Sequence, residues 1–177
     1  MIKVIDNFFS ERTYNDLIMQ IACGPFIDEV NEVDGVVYPF ICRHIPKSIT
    51  EECSAMFEGQ FVEFIRRSPS GVHCPNPVHH DASMGALSIM VYTSHLGATA
   101  VMRHKKTGVM SACDSSTITR LIARDSANVD EWEVMETAIA APNRAAIFDA
   151  RLMHAALPFG GIGHGEGART VYTRFVR

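Results

Sequence analysis

The chain has 177 residues and a formal net charge of −4, and 47% of its residues are hydrophobic. This length and composition predict a single globular domain over residues 1–177 and exclude wholesale disorder. The excess of acidic residues argues against a nucleic-acid partner, because proteins that bind nucleic acids carry clustered lysines and arginines. The cysteines form no C-x-x-C pair and the opening residues lack the apolar core of a signal peptide, so we expect reduced thiols and a cytoplasmic location.

A short strand followed by a helix is predicted at the start of the chain. Val4 and Ile5 belong to the strand, and Ser10 is a suitable N-cap for the helix. One face of this helix is apolar at helical spacing: Tyr14, Leu17, Ile18 and Ile21. Gly24, followed by a proline, predicts the end of the helix.

A second strand and a second helix are predicted to complete an N-terminal helical support over about residues 1–70. The strand covers residues 36–42, and Pro39 indicates that it lies at a sheet edge. Ser48 and Glu51 match a capping box at the start of the helix. An apolar stripe predicted to continue this helix comprises Cys53, Met56, Phe57, Phe61, Phe64 and Ile65.

Short apolar runs separated by turn residues dominate residues 72–177. Strands are predicted at residues 86–92, 98–103, 134–140, 145–148 and 170–176, with a short helix at 115–126. Several short strands at such spacing favour a sandwich or barrel. Residues 82–102 contain no Asp, Glu, Lys or Arg, but polar residues interrupt the run, so two strands around a turn are predicted there rather than a membrane span.

The segment around His79 and Asp81 is the best candidate for chemistry. Nearby prolines keep it out of a helix, and alternate residues of an extended chain point the same way, so His79 and Asp81 share a face while His80 points to the other. A histidine and an aspartate on one face supply two of the three ligands of a 2-His-1-carboxylate metal site. His154, which follows another apolar run, is the best candidate for the third.

The last predicted strand carries a cation at its start. If Arg169 points inward, then Val171, Thr173 and Phe175 point inward as well. A mostly apolar face with one guanidinium is suited to bind a carboxylate through paired hydrogen bonds. Arg174 would lie on the opposite face, and the glycine-rich loop before the strand leaves both arginines as candidates, with Arg169 favoured.

These residues together resemble a known family. His79-x-Asp81, the distal His154 and Arg169 on the last strand look like the iron(II)/2-oxoglutarate-dependent dioxygenases, near their prolyl-4-hydroxylase-like branch. Three further segments are similar to that branch, namely VIDNFFSERTYNDL near the start, IMVY after the first ligand pair and GATA in the following strand. The resemblance therefore extends over most of the chain.

The resemblance implies both a fold and an activity. The fold is mainly β with flanking helices (α+β), with a double-stranded β-helix, or jelly-roll, core over about residues 72–177. His79, Asp81 and His154 would bind Fe(II), and Arg169, with a contribution from Tyr92, would bind the co-substrate 2-oxoglutarate. Dioxygen and an unidentified prime substrate complete the set, and the expected reaction is hydroxylation of a C–H bond in a small molecule or a protein side chain.

Other interpretations stay open at this point. One alternative interpretation is that the chain is a catalytically silent metal-binding jelly roll that serves as a binding module. His73 and Cys74 offer a zinc site together with His79 or His80, although the H-E-x-x-H motif of a zinc hydrolase is absent. Tyr92 is equally well explained as a core residue. Arg43, Arg103 and His104 are candidates for a substrate entrance, with an exposed surface position as the simpler interpretation.

Overall fold

A computed structural model of the chain describes residues 1–30, 37–72, 77–112 and 116–177. Three helices and eleven strands form the described part: β1 (Lys3–Ile5), α1 (Glu11–Cys23), β2 (Ile27–Val30), β3 (Val37–Cys42), α2 (Lys47–Met56), β4 (Phe61–Ser68), β5 (Val78–His79), β6 (Leu87–Tyr92), β7 (Ala98–His104), α3 (Ser116–Asp125), β8 (Trp132–Ile139), β9 (Arg144–Asp149), β10 (His154–Leu157) and β11 (Arg169–Val176).

Two antiparallel sheets make the body of the fold. The larger has the order β1-β9-β6-β11-β4-β3-β2, and the smaller has the order β5-β10-β7-β8. This arrangement confirms the predicted mainly β class with flanking helices. Within the described residues no helix is long and apolar enough to cross a membrane, and residues 82–102 form β6, a turn and the start of β7, as predicted.

Strand β11 lies at the centre of the larger sheet, and all eight of its residues are buried. Tyr172 and Val176 pack with Leu17 of α1 and Ile49 of α2 in the core beneath the helices. Burying such a side chain contributes about 1.5–3 kcal/mol each. The alternate residues of β11, beginning with Arg169, face the space between the two sheets.

The second helix is shorter than the sequence predicts. It ends at Met56, and residues 61–68 form β4 instead of a continued helix. Gly59 follows the end of the helix with φ of 126°, which is far from the helical value, and a Cβ at that position would lie 2.8 Å from the carbonyl oxygen of Arg177. The predicted capping box is also wrong, because Pro46 precedes the helix without a side-chain cap and the Ser48 hydroxyl donates to Asp16 at 2.6 Å.

The N-terminal strand, helix and cap are confirmed, but the sheet edge at Pro39 is not. Ser10 accepts a hydrogen bond from the backbone N–H of Thr13 at the start of α1. Strand β3 lies between β2 and β4, so it is an inner strand of the described sheet. Pro39 is tolerated because the β2–β3 register shifts beside it, where Phe40 adopts a positive φ of 57°.

Candidate metal centre

The pairing of two short strands brings the predicted ligands together. In the antiparallel register of β5 and β10, His79 lies directly opposite His154, and their ring centroids are 4.5 Å apart. The chain turns after β5, and the backbone N–H of Asp81 donates to the carbonyl of Ala150 at 2.7 Å. This turn carries the Asp81 carboxylate back toward both imidazoles.

The three side chains converge on one point. The Asp81 carboxylate oxygens lie 3.7 Å from Nε2 of His79 and 3.1 Å from Nε2 of His154. One ligand atom from each residue can be chosen so that all lie within 4.8 Å of one another. Two imidazole nitrogens and one carboxylate are a donor set that suits iron(II) with open coordination positions.

His154 is held in the tautomer that a metal ligand needs. Its Nδ1 lies 2.9 Å from the carbonyl oxygen of Leu152, which only accepts hydrogen bonds, so Nδ1 carries the proton. In the neutral ring, Nε2 then keeps its lone pair. This atom is buried and makes no hydrogen bond within the described residues, despite its closeness to Asp81. A buried imidazole nitrogen without a hydrogen bond, beside a carboxylate, fits the role of a metal ligand.

The electrostatics favour the forms that bind a metal, with one exception. Burial, together with the neighbouring His154, lowers the pKa of His79 to about 4, so this ring is neutral at pH 7. Burial would raise the pKa of Asp81, but the surrounding histidines outweigh it and hold that pKa below its usual value. Burial would likewise lower the pKa of His154, but the Asp81 carboxylate raises it. A proton on His154 therefore competes with a metal.

A cavity of about 770 Å³ opens from the three ligands into the space between the sheets. The wall formed by β11 consists of Arg169, Val171, Thr173 and Phe175, which is the inward-facing set predicted from strand alternation. The opposite wall includes Thr99 of β7 and Ala156 of β10. The three candidate ligands and the cation predicted to bind a carboxylate therefore line one cavity.

Arg169 is buried with weak hydrogen bonds. Its Nη2 donates to the Ala98 carbonyl at 3.5 Å and to the Thr99 hydroxyl at 3.4 Å, and its Nε is buried without a partner in the described residues. Burial lowers its pKa. Gly97 makes room for it, because a Cβ at that position would come within 3.1 Å of the Arg169 Cδ.

Tyr92 lies beside Arg169 but outside the lining of the cavity. Its ring centroid is 5.7 Å from the Arg169 guanidinium, close enough for a cation–π contact. The hydroxyl donates to the carbonyl of Ala138 on β8 at 3.2 Å and is buried. In this arrangement Tyr92 contacts the arginine, and its predicted direct contact with 2-oxoglutarate stays a prediction.

Arg174 has a different environment. It is fully buried on the helix side of β11, where Nη1 pairs with Glu63 at 3.3 Å and Nη2 donates to Ser54 at 2.8 Å. Its guanidinium also lies 3.6 Å from the ring centroid of Phe61. These contacts join α2 to the larger sheet, whereas Arg169 faces the cavity.

Of the other candidate residues predicted from the sequence, some line the cavity and others lie outside it. Arg43 and His80 line the cavity, whereas Arg103 pairs with Glu133 across β7 and β8. His73 and Cys74, the alternative zinc ligands, lie outside the described residues. Among the cavity-lining residues that the sequence did not single out is Arg66 on β4. The prediction of a continuous helix through this segment concealed the alternation that would have turned Arg66 inward.

A second group of potential metal ligands is already engaged with protein partners. His104 contacts the Asp125 carboxylate at 3.2 Å, and Arg124 pairs with the same carboxylate at 2.6 Å. Glu131 pairs with Lys106 at 2.9 Å. This group is explained by hydrogen bonds and ion pairs that join the end of β7 and the turn after it to the end of α3 and to Glu131.

Solved structures with the same fold support the resemblance. AviO1 from Streptomyces viridochromogenes Tue57 matches with a TM-score of 0.55 at 11% identity, covering 99% of this chain and 89% of that one. EvdO2 from Micromonospora carbonacea var. aurantiaca, complexed with 2-oxoglutarate, matches with a TM-score of 0.54 at 15% identity, covering 98% and 84%. A prolyl hydroxylase in complex with a hypoxia inducible factor peptide from Trichoplax adhaerens matches with a TM-score of 0.53 at 12% identity, covering 99% of this chain and 82% of that one.

At this level of identity the similarity shows a shared fold. No family model matches the chain, and no curated protein matches it in sequence. The described fold and the three converging side chains define a double-stranded β-helix protein with a His–Asp–His cluster. The resemblance to the iron(II)/2-oxoglutarate-dependent dioxygenase superfamily is confirmed for the fold.

Proposed function

We propose that this protein is an iron(II)/2-oxoglutarate-dependent oxygenase in which His79, Asp81 and His154 hold the metal. The observation that carries the proposal is the buried Nε2 of His154, which lies 3.1 Å from the Asp81 carboxylate without a hydrogen bond in the described residues. A third ligand, His79, faces the same carboxylate. We further propose that residues 1–177 form one domain and that the protein acts in the cytoplasm.

Arg169 is proposed to anchor the distal carboxylate of 2-oxoglutarate. Its guanidinium contacts Thr99, and Thr99 pairs with Ala156, which is two residues along β10 from His154. Alternate residues of a strand are about 7 Å apart, a span comparable to a five-carbon dicarboxylate. A molecule bound at the metal by its oxo-acid end would therefore reach Arg169 with the other carboxylate.

With iron(II) bound, 2-oxoglutarate and dioxygen would supply an oxidative decarboxylation to succinate and carbon dioxide, coupled to oxidation of a substrate C–H bond. The protein's own contribution is positioning. His154 is kept in one tautomer by Leu152, and Arg169 fixes the direction of the co-substrate. The apolar side chains of Val171 and Phe175 line the cavity beside it and limit water. We propose hydroxylation of a small molecule or protein side chain as the outcome.

The proposal is tested by following the co-substrate. Purified protein given Fe(II), 2-oxoglutarate and oxygen is expected to form succinate, measured by NMR, even without the prime substrate and at a low rate. Asp81→Ala should abolish this activity, because the metal loses one ligand. Asp149→Ala is the matched control, since Asp149 pairs with Arg151 on a partly exposed surface. A parent protein that forms no succinate would contradict the proposal and favour a silent binding module, and equal succinate formation in the Asp81→Ala protein would contradict the ligand assignment.

A further inference from the structure

The end of β11 that is remote from Arg169 carries one of a pair of aromatic rings that line the cavity. Phe175 is six residues along the strand from Arg169, so their Cα atoms are about 20 Å apart. Phe64 lies on the neighbouring strand β4, opposite Thr173 in the antiparallel register. The ring centroids of Phe64 and Phe175 are 6.0 Å apart, with an interplanar angle of 45°. Both side chains line the cavity, which therefore has an aromatic wall away from Arg169.

The sheet register places this aromatic wall near the candidate metal ligands. Phe175 pairs with Ser88 of β6, and Ser88 pairs with Phe148 of β9. The Phe148 ring contacts the His154 ring edge to face, with centroids 4.9 Å apart. Neighbouring strands are about 4.8 Å apart, so the backbone of Phe175 is about 10 Å from that of the residue that contacts His154. The aromatic wall therefore lies at the metal end of the cavity.

A methionine lines the same end of the cavity. The backbone N–H of Met84 donates to the Asp81 carbonyl at 2.8 Å, and the Met84 carbonyl accepts from Nε of Arg177, the residue after β11, at 3.1 Å. These bonds hold Met84 between a candidate metal ligand and the end of the strand that carries Phe175. The Met84 side chain is half-buried and lines the cavity. We call Phe64, Phe175 and Met84 the aromatic subsite.

Phe64 presents the more exposed of the two rings in this subsite. Phe175 is only 3% exposed, whereas Phe64 is half-buried. The Arg43 guanidinium lies 5.0 Å from the Phe64 ring centroid, and its Nε donates to the Glu29 carboxylate at 2.8 Å. Aromatic rings attract one another at centroid distances of about 4.5–7 Å, and a methionine sulfur also packs favourably against a ring. The subsite therefore favours an aromatic group over a saturated one.

The proposed co-substrate extends in another direction. It spans about 7 Å from the metal toward Arg169, whose guanidinium contacts Thr99 at 3.4 Å. The aromatic subsite lies toward the opposite end of β11. The cavity volume of about 770 Å³ is also within the range of about 300–1,000 Å³ that is typical of small-molecule sites. The co-substrate and a small prime substrate can therefore occupy different ends of one cavity.

We propose that the prime substrate is a small molecule that carries an aromatic ring, and that the aromatic subsite binds this ring. The inference rests on the proposed function, because it takes the metal and 2-oxoglutarate as bound and assigns the remaining end of the cavity. A ring packed against Phe64 and Met84 would hold the adjoining C–H bonds at the metal end. Phe64 is thus a residue that determines substrate specificity.

The test compares three neutral amides that differ only in their ring. Anaerobic calorimetry would titrate the Fe(II) protein, saturated with 2-oxoglutarate, with 3-phenylpropanamide, 3-cyclohexylpropanamide and propanamide. In the parent we expect the phenyl compound to bind about tenfold or more tightly than propanamide, because an apolar ring leaves water. It should bind about threefold or more tightly than the cyclohexyl compound, because only the planar ring gains the aromatic contacts.

Phe64→Leu should weaken binding of the phenyl compound by about threefold or more, because the side chain stays apolar but loses its ring. Affinities for the cyclohexyl compound and for 2-oxoglutarate should change by less than about twofold, since neither depends on a ring contact. Phe61→Leu is the matched control, because Phe61 lies on the opposite face of the same strand, where its ring contacts Arg174. This control should bind all the compounds as the parent does.

Four results would overturn the inference. The first is a parent protein that binds 2-oxoglutarate but does not prefer the phenyl compound, or does not bind it at all. The second is unchanged phenyl affinity in folded Phe64→Leu, and the third is an equal loss in Phe61→Leu. The fourth is a loss of 2-oxoglutarate affinity in Phe64→Leu, which would assign Phe64 to the co-substrate.

Two further observations keep the comparison decisive. If Phe64→Leu does not fold, Phe64→Met takes its place, because methionine is apolar, unbranched and without a ring, and the same loss of phenyl affinity is expected. Unchanged phenyl affinity in that variant would likewise contradict the inference. Failure of the proposed function would appear instead as a parent protein that does not bind 2-oxoglutarate.

Discussion

Replacement of Arg169 by alanine should weaken 2-oxoglutarate binding by about 10² to 10⁴-fold. Arg169 is only 6% exposed, so solvent screens its interaction with a carboxylate very little. A buried guanidinium makes two charge-assisted hydrogen bonds of about 1.5–3 kcal/mol each, and each 1.4 kcal/mol corresponds to a factor of about ten. Its present bonds to Ala98 and Thr99, at 3.5 and 3.4 Å, are long and therefore cost little to exchange.

The assay is an anaerobic calorimetric titration of the Fe(II) protein with 2-oxoglutarate. Arg169→Lys should recover only part of the affinity, because an ammonium group cannot form the paired contact. Metal affinity should change little in either variant, since Arg169 is not a proposed ligand. Arg151→Ala is a matched control, because Arg151 is exposed and pairs with Asp149 outside the cavity.

Two outcomes would refute the reasoning about Arg169. One is a folded Arg169→Ala protein that binds 2-oxoglutarate as tightly as the parent. The other is a loss of the same size in Arg151→Ala, which would mean that general charge rather than a specific contact governs the affinity. Thermal melting of each variant separates these outcomes from unfolding.

Three further predictions concern the metal site and the core. Asp81→Ala and His154→Ala should each abolish tight binding of one Fe(II) per chain, measured by metal analysis after anaerobic dialysis, and unchanged stoichiometry would refute the ligand assignment. Metal affinity should fall as pH is lowered through the raised pKa of His154, because the proton and the metal compete for the same nitrogen. It should fall more steeply near pH 4, where His79 also becomes protonated. A Mn(II) titration across this pH range checks the direction of the change, and a metal affinity independent of pH would contradict the prediction. Arg174→Ala should lower the free energy of unfolding by about 3–5 kcal/mol in urea denaturation, because it leaves the Glu63 carboxylate without its buried cation, and a loss below about 1 kcal/mol would be inconsistent with this ion pair.

The sequence predicted the placement of the candidate site well because strand alternation is a short-range property. His79 and Asp81 are two residues apart, and the inward set that begins at Arg169 follows from the same alternation. The partner of this pair could only be inferred from order along the chain, since the β5–β10 register that brings His154 opposite His79 depends on the whole sheet. The resemblance supplied that long-range information.

The secondary-structure prediction was wrong where the helical and the strand periodicity fit the same residues. Phe61, Phe64 and Ile65 are compatible with a helical stripe and also with a strand, and local propensity did not separate the two. Gly59 was the signal that the helix ends, because its backbone packs against the C-terminal residue and admits no side chain. That contact is remote in sequence, so the break, and with it the inward direction of Arg66, became evident only in the folded chain.

The most direct test of the central claim is an absorption titration. Anaerobic protein loaded with one Fe(II) per chain is titrated with 2-oxoglutarate, and the visible spectrum is recorded. If His79, Asp81 and His154 leave open positions on the metal and Arg169 anchors the co-substrate, a weak charge-transfer band should appear and saturate at one 2-oxoglutarate per chain, as expected for a chelate at a three-ligand site. A spectrum that does not change at saturating 2-oxoglutarate, from protein that has bound its iron, would contradict the assignment.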